Sequence, residues 1–175
     1  MNAKHPGTEP GSGRSAPQHP GGSTSVHVRR AVRTDVAAII AIFAEDAVGG
    51  HGDRLTPQSL PIYLAAFDAI DTSPSDRLFV AELDGAVVGT YQFTLCRTLV
   101  HQGRLRAMVE AVHVAGARRG QGIGAAMMRH AQSIAREAGA GVLELTSNKQ
   151  RHDAHRFYER LGFRRSHDGF KLALD

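Results

Sequence analysis

Alternation of apolar and polar positions divides the sequence into segments with strand and helix periodicity. Runs of β-branched and aromatic residues that alternate with polar ones are typical of strands, whereas apolar residues at three- and four-residue intervals are typical of helices. These patterns predict ten elements in the order β-α-α-β-β-β-α-β-α-β. The predicted ranges are 26–32, 35–47, 55–70, 77–83, 86–96, 107–114, 123–138, 141–147, 153–161 and 169–175.

Capping residues, turn residues and glycines mark the predicted boundaries. Thr34 or Asp35 caps the first helix, and Thr56 caps the second, with Pro57 at its first helical position. Asp84-Gly85 forms the tight turn of a hairpin between the second and third strands. The helices end at the glycines Gly49-Gly50, Gly139 and Gly162. This order indicates an α/β or α+β domain in which helices pack on one sheet.

The first 25 residues differ in composition from the rest of the chain. They contain four of the seven prolines and five glycines, with almost no large apolar residue. Such a segment cannot bury enough surface to offset the entropy lost on ordering. We therefore predict a disordered tail at 1–25 and one folded domain at 26–175.

Composition limits the classes of function. An apolar content of 42% supports a hydrophobic core, and the net charge of +4 favours anionic ligands in general. Nucleic-acid binding is not expected, because basic and aromatic residues form no common stripe. No stretch approaches the ~20 apolar residues of a membrane span, and no signal peptide opens the chain. A cytoplasmic protein without membrane contact is therefore expected.

Cysteine and histidine positions give little support for covalent or metal chemistry. The single cysteine, Cys96, excludes an internal disulfide, and its apolar surroundings predict a buried structural thiol. His152 and His155 are one helical turn apart, but no cluster of carboxylates accompanies them. No metal site is expected.

The segment RRGQGIG at 118–124 has the composition of an anion-binding loop. It precedes a predicted helix, whose first backbone N–H groups and dipole favour negative charge. Gly120, Gly122 and Gly124 allow close backbone approach, while Arg118 and Arg119 add positive charge at the mouth. This combination suits a pyrophosphate.

Two other phosphate-binding motifs fit this segment less well. In a dinucleotide-binding fold the glycines directly follow a strand, but here AGARR separates Val114 from Gly120. Glu144, at the spacing expected for a ribose-binding acid, lies in the middle of a predicted strand. A P-loop would end in Gly-Lys-Ser/Thr, which is absent from the sequence.

Two motifs together resemble the GNAT superfamily of N-acetyltransferases over about residues 26–175. Arg119-x-x-Gly122-x-Gly124 follows the strand EAVHV, and ELTSNKQRHDAHRFYERLGF occupies 144–163. The second motif is similar to a large bacterial branch that acts on small molecules. The resemblance implies a mixed, mostly antiparallel central sheet, splayed between strands 4 and 5, with helices on both faces. It also implies acetyl-CoA as the co-substrate and, as is common among relatives, a homodimer.

The same resemblance assigns the residues that would bind acetyl-CoA. The main chain of the fourth strand would pair with the pantetheine, and the glycine loop would hold the pyrophosphate. Asn148, otherwise a turn residue, would contact the pantetheine or thioester end, beside the start of the last helix. The implied set is Val112, His113, Val114, Arg118, Arg119, Gly120, Gln121, Gly122, Ile123, Gly124, Asn148, Ala154 and His155.

Two residues have the chemistry needed for acetyl transfer to an amine. Glu110 is the only acid in its strand and is the predicted general base; alternatively, it pairs with Arg104 or Arg106. Strand alternation places Glu110, Val112 and Val114 on one face. His113 would then face away, as a structural histidine rather than a base.

Tyr158 is the predicted general acid for the coenzyme A thiolate, a role that a tyrosine commonly has in the superfamily at this place. The alternative is a core tyrosine, because its neighbour Phe157 is a core residue.

The sequence indicates two opposite classes of acceptor. One group of residues could bind a cationic amine: Asp46, Asp53, Tyr63 and Asp68. A second group could hold an acidic substituent: Arg97, Arg104 and Arg106. The predicted function is direct acetyl transfer from acetyl-CoA to a primary amine of a small molecule. The alternatives are a peptide or protein acceptor and a non-catalytic acyl-CoA-binding module.

Overall fold

Five strands form one sheet in the computed structural model of the chain, which describes residues 25–46 and 52–174. The strands are β1 (His27–Arg30), β2 (Asp76–Leu83), β3 (Ala86–Arg97), β4 (Leu105–Val114) and β5 (Val142–Leu145). Their order in the sheet is their order in the chain. Each pair is antiparallel except β4 with β5, which is parallel. The expected mixed, mostly antiparallel sheet is confirmed.

Helices cover both faces of this sheet, as expected from the resemblance. They are α1 (Val36–Ala44), α2 (Leu60–Thr72), the single turn α3 (Val100–Gly103), α4 (Ile123–Glu137) and α5 (His152–Arg160). Alternation along β2 separates the two cores: Val80 packs with α1 and α2, whereas Phe79 and Ala81 pack with the α4 side. None of the helices in the described ranges is long and apolar enough to cross a membrane.

The predicted hairpin is confirmed, but two helix starts differ from the prediction. Asp84 and Gly85 connect β2 to β3 with φ angles of 53° and 76°. Asp35 makes no side-chain cap on α1; its carboxylate instead accepts from Arg29 and from the Val32 backbone N–H. The first helix ends at Ala44, and its predicted end at residues 49–50 lies outside the described residues.

The second helix begins one turn later than predicted. Thr56 and Ser59 exchange backbone-to-hydroxyl hydrogen bonds of 3.0 Å, which hold the chain in a turn before the helix. Leu60 is the first helical residue, so Pro61, and not Pro57, lies in the first turn. A proline is tolerated there because the first N–H groups of a helix have no partner within the helix.

Two other expectations are wrong. Cys96 is exposed near the end of β3, because the alternation that buries Phe93 does not extend to the last residues of the strand. The predicted strand at 169–175 is not formed: residues 163–174 contain no strand, and Asp175 lies outside the described range. The predicted tail also falls almost entirely outside it, at 1–24.

Candidate active site

A cleft opens where β4 and β5 separate. The two strands pair from Arg106 opposite Val142 to Val109 opposite Leu145, and β4 then continues alone to Val114. The expected splay between strands 4 and 5 is confirmed. Residues 110–114 therefore have no strand on their β5 side, which leaves backbone groups there for a ligand.

A β-bulge interrupts β4 next to this separation. The register with β3 shifts between Glu110 opposite Gln92 and His113 opposite Thr90. Two residues of β4, Ala111 and Val112, therefore face the one residue of β3 between them. Ala111 has a φ of 49°, in the left-handed region that non-glycine residues seldom adopt. The bulge reverses the alternation of side chains along the rest of the strand.

The predicted arrangement of faces along β4 is wrong because of this bulge. Val112 and Val114 pack with the core under α4. Glu110 lies on the opposite face, like its partner Gln92, because the residues flanking Gln92 are both buried in the α4 core. The ring of His113 contacts Phe43 of α1, with centroids 5.0 Å apart. Glu110 and His113 therefore share the α1 face.

Glu110 is exposed on β4, and its predicted alternative partners are bound elsewhere. Arg106 forms an ion pair with Glu144 of β5, with an N–O distance of 2.7 Å. Arg104 donates to the carbonyl of Gly141. Neither arginine neutralises Glu110, which remains chemically suited to accept a proton.

His113 lies in a half-buried, mixed-charge environment. Burial lowers the pKa of His113, and the nearby Arg151 and Arg119 lower it further, while Asp46 raises it. The neutral imidazole is therefore favoured near neutral pH, when one of its ring nitrogens can accept a proton.

The glycine loop leads into an uncapped helix start. Gly120 and Gly122 have φ angles of 76° and 79°, which L side chains rarely adopt. Ala126 donates to the Gly122 carbonyl at the start of α4, and no side chain caps this terminus. The N–H groups of residues 122–125 thus lack acceptors within the helix and are suited to an anion.

Arginine and glutamine side chains border this loop. Arg119 donates from Nε to the Val114 carbonyl at 3.2 Å, which connects the loop to the end of β4. Arg118 and Gln121 line a cavity of about 270 Å³ together with the β2–β3 hairpin and Val26.

Gly124 has a different role from the other two glycines. It lies in the first turn of α4, where an added Cβ would come within 3.2 Å of Phe157 Cζ on α5. The small residue therefore allows α5 to pack closely on α4, which the sequence analysis did not predict. Ile123 is buried, so only its main chain can face a ligand.

Tyr158 combines both roles considered for it. It packs against the α4 core, with ring centroids 5.1 Å from Phe157 and 5.8 Å from Phe163. Burial raises the pKa of the Tyr158 phenol, an effect that Arg151 opposes. A phenol that keeps its proton near neutral pH can act as a proton donor.

The turn before α5 is built by Asn148. Its Oδ1 accepts from the Gln150 backbone N–H at 2.9 Å, and its carbonyl accepts from the Arg151 N–H and from a ring nitrogen of His155. Ala154 is half-buried in the first turn of α5. Across the described ranges, no group of three or more His, Cys, Asp or Glu side chains is placed to hold a metal ion.

The end of α1 is joined to both sides of the cleft, a feature that the sequence analysis missed. Glu45 accepts from the Gly116 N–H at 2.5 Å, in the loop after β4. Asp46 accepts from Arg151 at the start of α5. These partners are 71 and 105 residues apart in sequence, so local patterns carry no signal for them.

The acceptor candidates are not equally placed. Asp53 accepts from the Tyr63 hydroxyl at 2.6 Å, and this hydrogen bond raises the pKa of Tyr63. Asp68 pairs with Arg33 on the exposed side of α2. Arg97, Arg104 and Arg106 belong to the opposite end of β4 from the cleft: Arg106 precedes Glu110 by about 13 Å of extended strand. The arginine group is therefore distant from the proposed base.

Comparisons with known proteins agree with this fold and site. The model of the acetyltransferase (GNAT) family matches residues 36–163. Aminoalkylphosphonate N-acetyltransferase of Salmonella typhimurium is 39% identical over 101 residues, which cover 58% of this chain and 65% of that protein, slightly less than two thirds of its length.

Solved structures include similar folds. One described as a transcriptional regulator from Bacillus halodurans C-125 has a TM-score of 0.81 and 38% identity, covering 86% of this chain and all of the other. An aminoglycoside N-acetyltransferase in complex with CoA has a TM-score of 0.72 at 16% identity, over 90% of this chain and 99% of the other, and shows the shared fold alone.

Proposed function

Because the chain belongs to the GNAT family of acetyltransferases, we propose that it transfers the acetyl group of acetyl-CoA directly to a primary amine of a small molecule. The separation of β4 from β5 beside the uncapped start of α4 is the observation that carries this proposal. One feature suits an extended pantetheine and the other a pyrophosphate.

The residues present fit acetyl-CoA. The N–H groups at the start of α4 would hold the pyrophosphate, with Arg118 and Arg119 adding positive charge at the mouth of the loop. The unpaired main chain of residues 112–114 would bind the pantetheine as an added strand does. Asn148, Ala154 and His155 would line the α5 side of the same cleft.

Glu110 and Tyr158 are the proposed catalytic residues. Bound acetyl-CoA supplies a thioester that an uncharged amine can attack. Glu110 would take the proton of the acceptor ammonium, directly or through water. Tyr158 would donate its phenolic proton to the departing thiolate. Since His113 shares the α1 face with Glu110, it is the second candidate for the base.

Direct transfer fits the position of the only cysteine in the sequence. Cys96 lies opposite Arg106 in the β3–β4 register, toward the end of β4 away from the cleft. An acetyl-enzyme intermediate on this thiol would require the acetyl group to leave the cleft.

A small acceptor is favoured over a peptide or protein because of the named relative. That relative's name specifies aminoalkylphosphonates, so we propose such compounds as the first acceptors to test. The alternative function is a non-catalytic acyl-CoA-binding module with the same fold.

Two measurements test the proposal. Calorimetric titration is expected to show binding of acetyl-CoA and free CoA, and none of NAD. Free-thiol release is then followed with 2-aminoethylphosphonate, with simple alkylamines and with amino acids as acceptors. Tyr158→Phe is expected to lower kcat by about 100-fold while acetyl-CoA affinity stays near the wild-type value.

Each contrary result removes one part of the proposal. Absence of acetyl-CoA binding would remove the cofactor assignment. Binding without turnover on any amine would favour the binding module. Unchanged turnover of Tyr158→Phe would show that the phenol is not the acid.

A further inference from the structure

The residues after α5 expose an alternating row of large apolar side chains. Phe170, Leu172 and Leu174 are 95%, 85% and 89% exposed, and Lys171 and Ala173 lie between them. This period-two pattern is typical of a strand with one apolar face. Three such side chains in water, on one side of one short segment, indicate that a surface outside the single chain covers them.

The outer edge of β5 is the matching surface. β5 ends the described sheet, with β4 on one side and no described strand on the other. Its residues are only partly buried, and Leu143 and Leu145 pack against the α4 core. An open edge presents unpaired N–H and C=O groups, which natural proteins usually cover or pair.

We propose that residues 169–174 form a strand that pairs with the β5 edge of a second copy of this chain. The segment follows α5 after only eight residues, 161–168, and yet lies off the β5 edge of its own chain. Exchange of the segment between two copies gives two equivalent contacts, which close a two-fold dimer. In this arrangement, main-chain hydrogen bonds extend both sheets.

Side-chain alternation fits the segment to one orientation. With Phe170, Leu172 and Leu174 turned toward the layer of α4 and α5, they extend the apolar surface that Leu143 and Leu145 begin. Lys171 then points to the opposite face. The segment starts beside Phe163, whose ring contacts Tyr158. The dimer contact therefore lies next to the proposed site, but does not depend on the proposed function.

Molar mass in solution tests the dimer. Light scattering after size exclusion is expected to give twice the mass of one chain at micromolar concentration. Leu172→Asp places a charge in the apolar face and is expected to weaken dimerisation by about 100-fold. Lys171→Asp introduces the same charge on the opposite face and is expected to remain dimeric. Circular dichroism checks that both variants are folded.

Hydrogen exchange identifies the surface. Amides of 170–174 and 142–145 are expected to gain protection together as protein concentration rises through the dimerisation range. A wild-type monomer would overturn the proposal; protection of these amides in that monomer would assign the strand to the β5 of its own chain. A dimer that survives Leu172→Asp would also overturn it, since another surface would then hold the copies together.

Discussion

At the scale of single residues, the backbone of Ala111 determines which side chains meet in the cleft. Its left-handed φ inserts one residue into β4, and this brings His113 to the same face as Glu110. No feature of the run AMVEAVHV marks Ala111 as the bulge, because alanine has no special preference for that conformation. The choice between two candidate bases therefore became a question only with the structure.

Glu110→Gln and His113→Gln separate these candidates. We expect Glu110→Gln to lower kcat/KM for the amine by about 100-fold, because the amide cannot accept the ammonium proton. His113→Gln is expected to lower it less than about tenfold, because the ring is engaged with Phe43. Steady-state rates between pH 5 and 9, with acetyl-CoA saturating, provide the measurement.

The opposite ranking would assign the base to His113. In that case the wild-type rate would fall in acid only below the usual histidine pKa of about 6.5, because burial lowers the pKa of His113. His113→Gln would then abolish that acid limb, whereas a structural role would leave it in place.

At the scale of elements, the glycine loop contains glycines for two separate reasons. Gly122 needs its left-handed φ to turn the chain into α4, and a Cβ there would meet no atom within 4 Å. Gly124 has ordinary helical surroundings and is restricted by Phe157 of α5. A motif that looks uniform in sequence thus combines a backbone requirement with a packing requirement.

Substitutions at these glycines distinguish the two requirements. Gly122→Ala is expected to cost about 1 kcal/mol in free energy of unfolding, because a Cβ disfavours the left-handed conformation. Gly122→Asn, the matched control, is expected to lose less, since asparagine tolerates that conformation better. In Gly124→Ala the crowding of Phe157 offsets a gain in helix propensity of about 1 kcal/mol, so the expected net change is small.

Urea denaturation of the three variants, together with their acetyl-CoA affinities, checks this expectation. If Gly122→Asn is no more stable than Gly122→Ala, backbone conformation is not the reason for glycine at 122. If Gly124→Ala is the least stable of the three, the contact between α4 and α5 is less adaptable than proposed.

Elements with strong local signals were predicted well from the sequence. The Asp84-Gly85 turn and the apolar period of α4 each follow from a few neighbouring residues, and both are confirmed. The second helix was placed too early, because Thr56 bonds to Ser59 instead of capping a helix at Pro57. The strand predicted at 169–175 has the correct alternation, but a strand also needs a neighbour, which a sequence pattern cannot supply.

At the scale of the whole molecule, long-range polar contacts join the sheet to its helices. Arg29 of β1 binds Glu82 of β2 at 2.8 Å and Asp35, at the start of α1, at 2.7 and 3.0 Å. Asp35 is 7% exposed and also accepts from the Val32 N–H. Since β1 is an edge strand of only four residues, this cluster contributes to holding it and α1 in one position.

The pH dependence of stability tests this cluster. Burial raises the pKa of Asp35, but the hydrogen bonds from Arg29 and Val32 and the charge of Arg29 outweigh it, so the pKa lies below its usual value. The carboxylate therefore stabilises the fold above the unfolded pKa of about 3.9, and this contribution is lost as pH falls through the lower, folded pKa. Asp35→Asn is expected to cost about 2 kcal/mol near pH 7, with the difference from wild type shrinking below pH 4 or so.

Asp71→Asn is the matched control for this prediction. Its partner Arg30 is on the same strand as Arg29, but both side chains of that pair are about half exposed, at 47% and 52%. A solvent-exposed ion pair contributes little, so a change below about 0.5 kcal/mol is expected at every pH. Urea denaturation of both variants and of wild type from pH 3 to 7 gives the free energies. Equal losses in the two variants would show that burial of Asp35 adds nothing to the pair, whereas a loss in Asp35→Asn that persists unchanged at pH 3 would show that shape rather than charge stabilises the junction between β1 and α1.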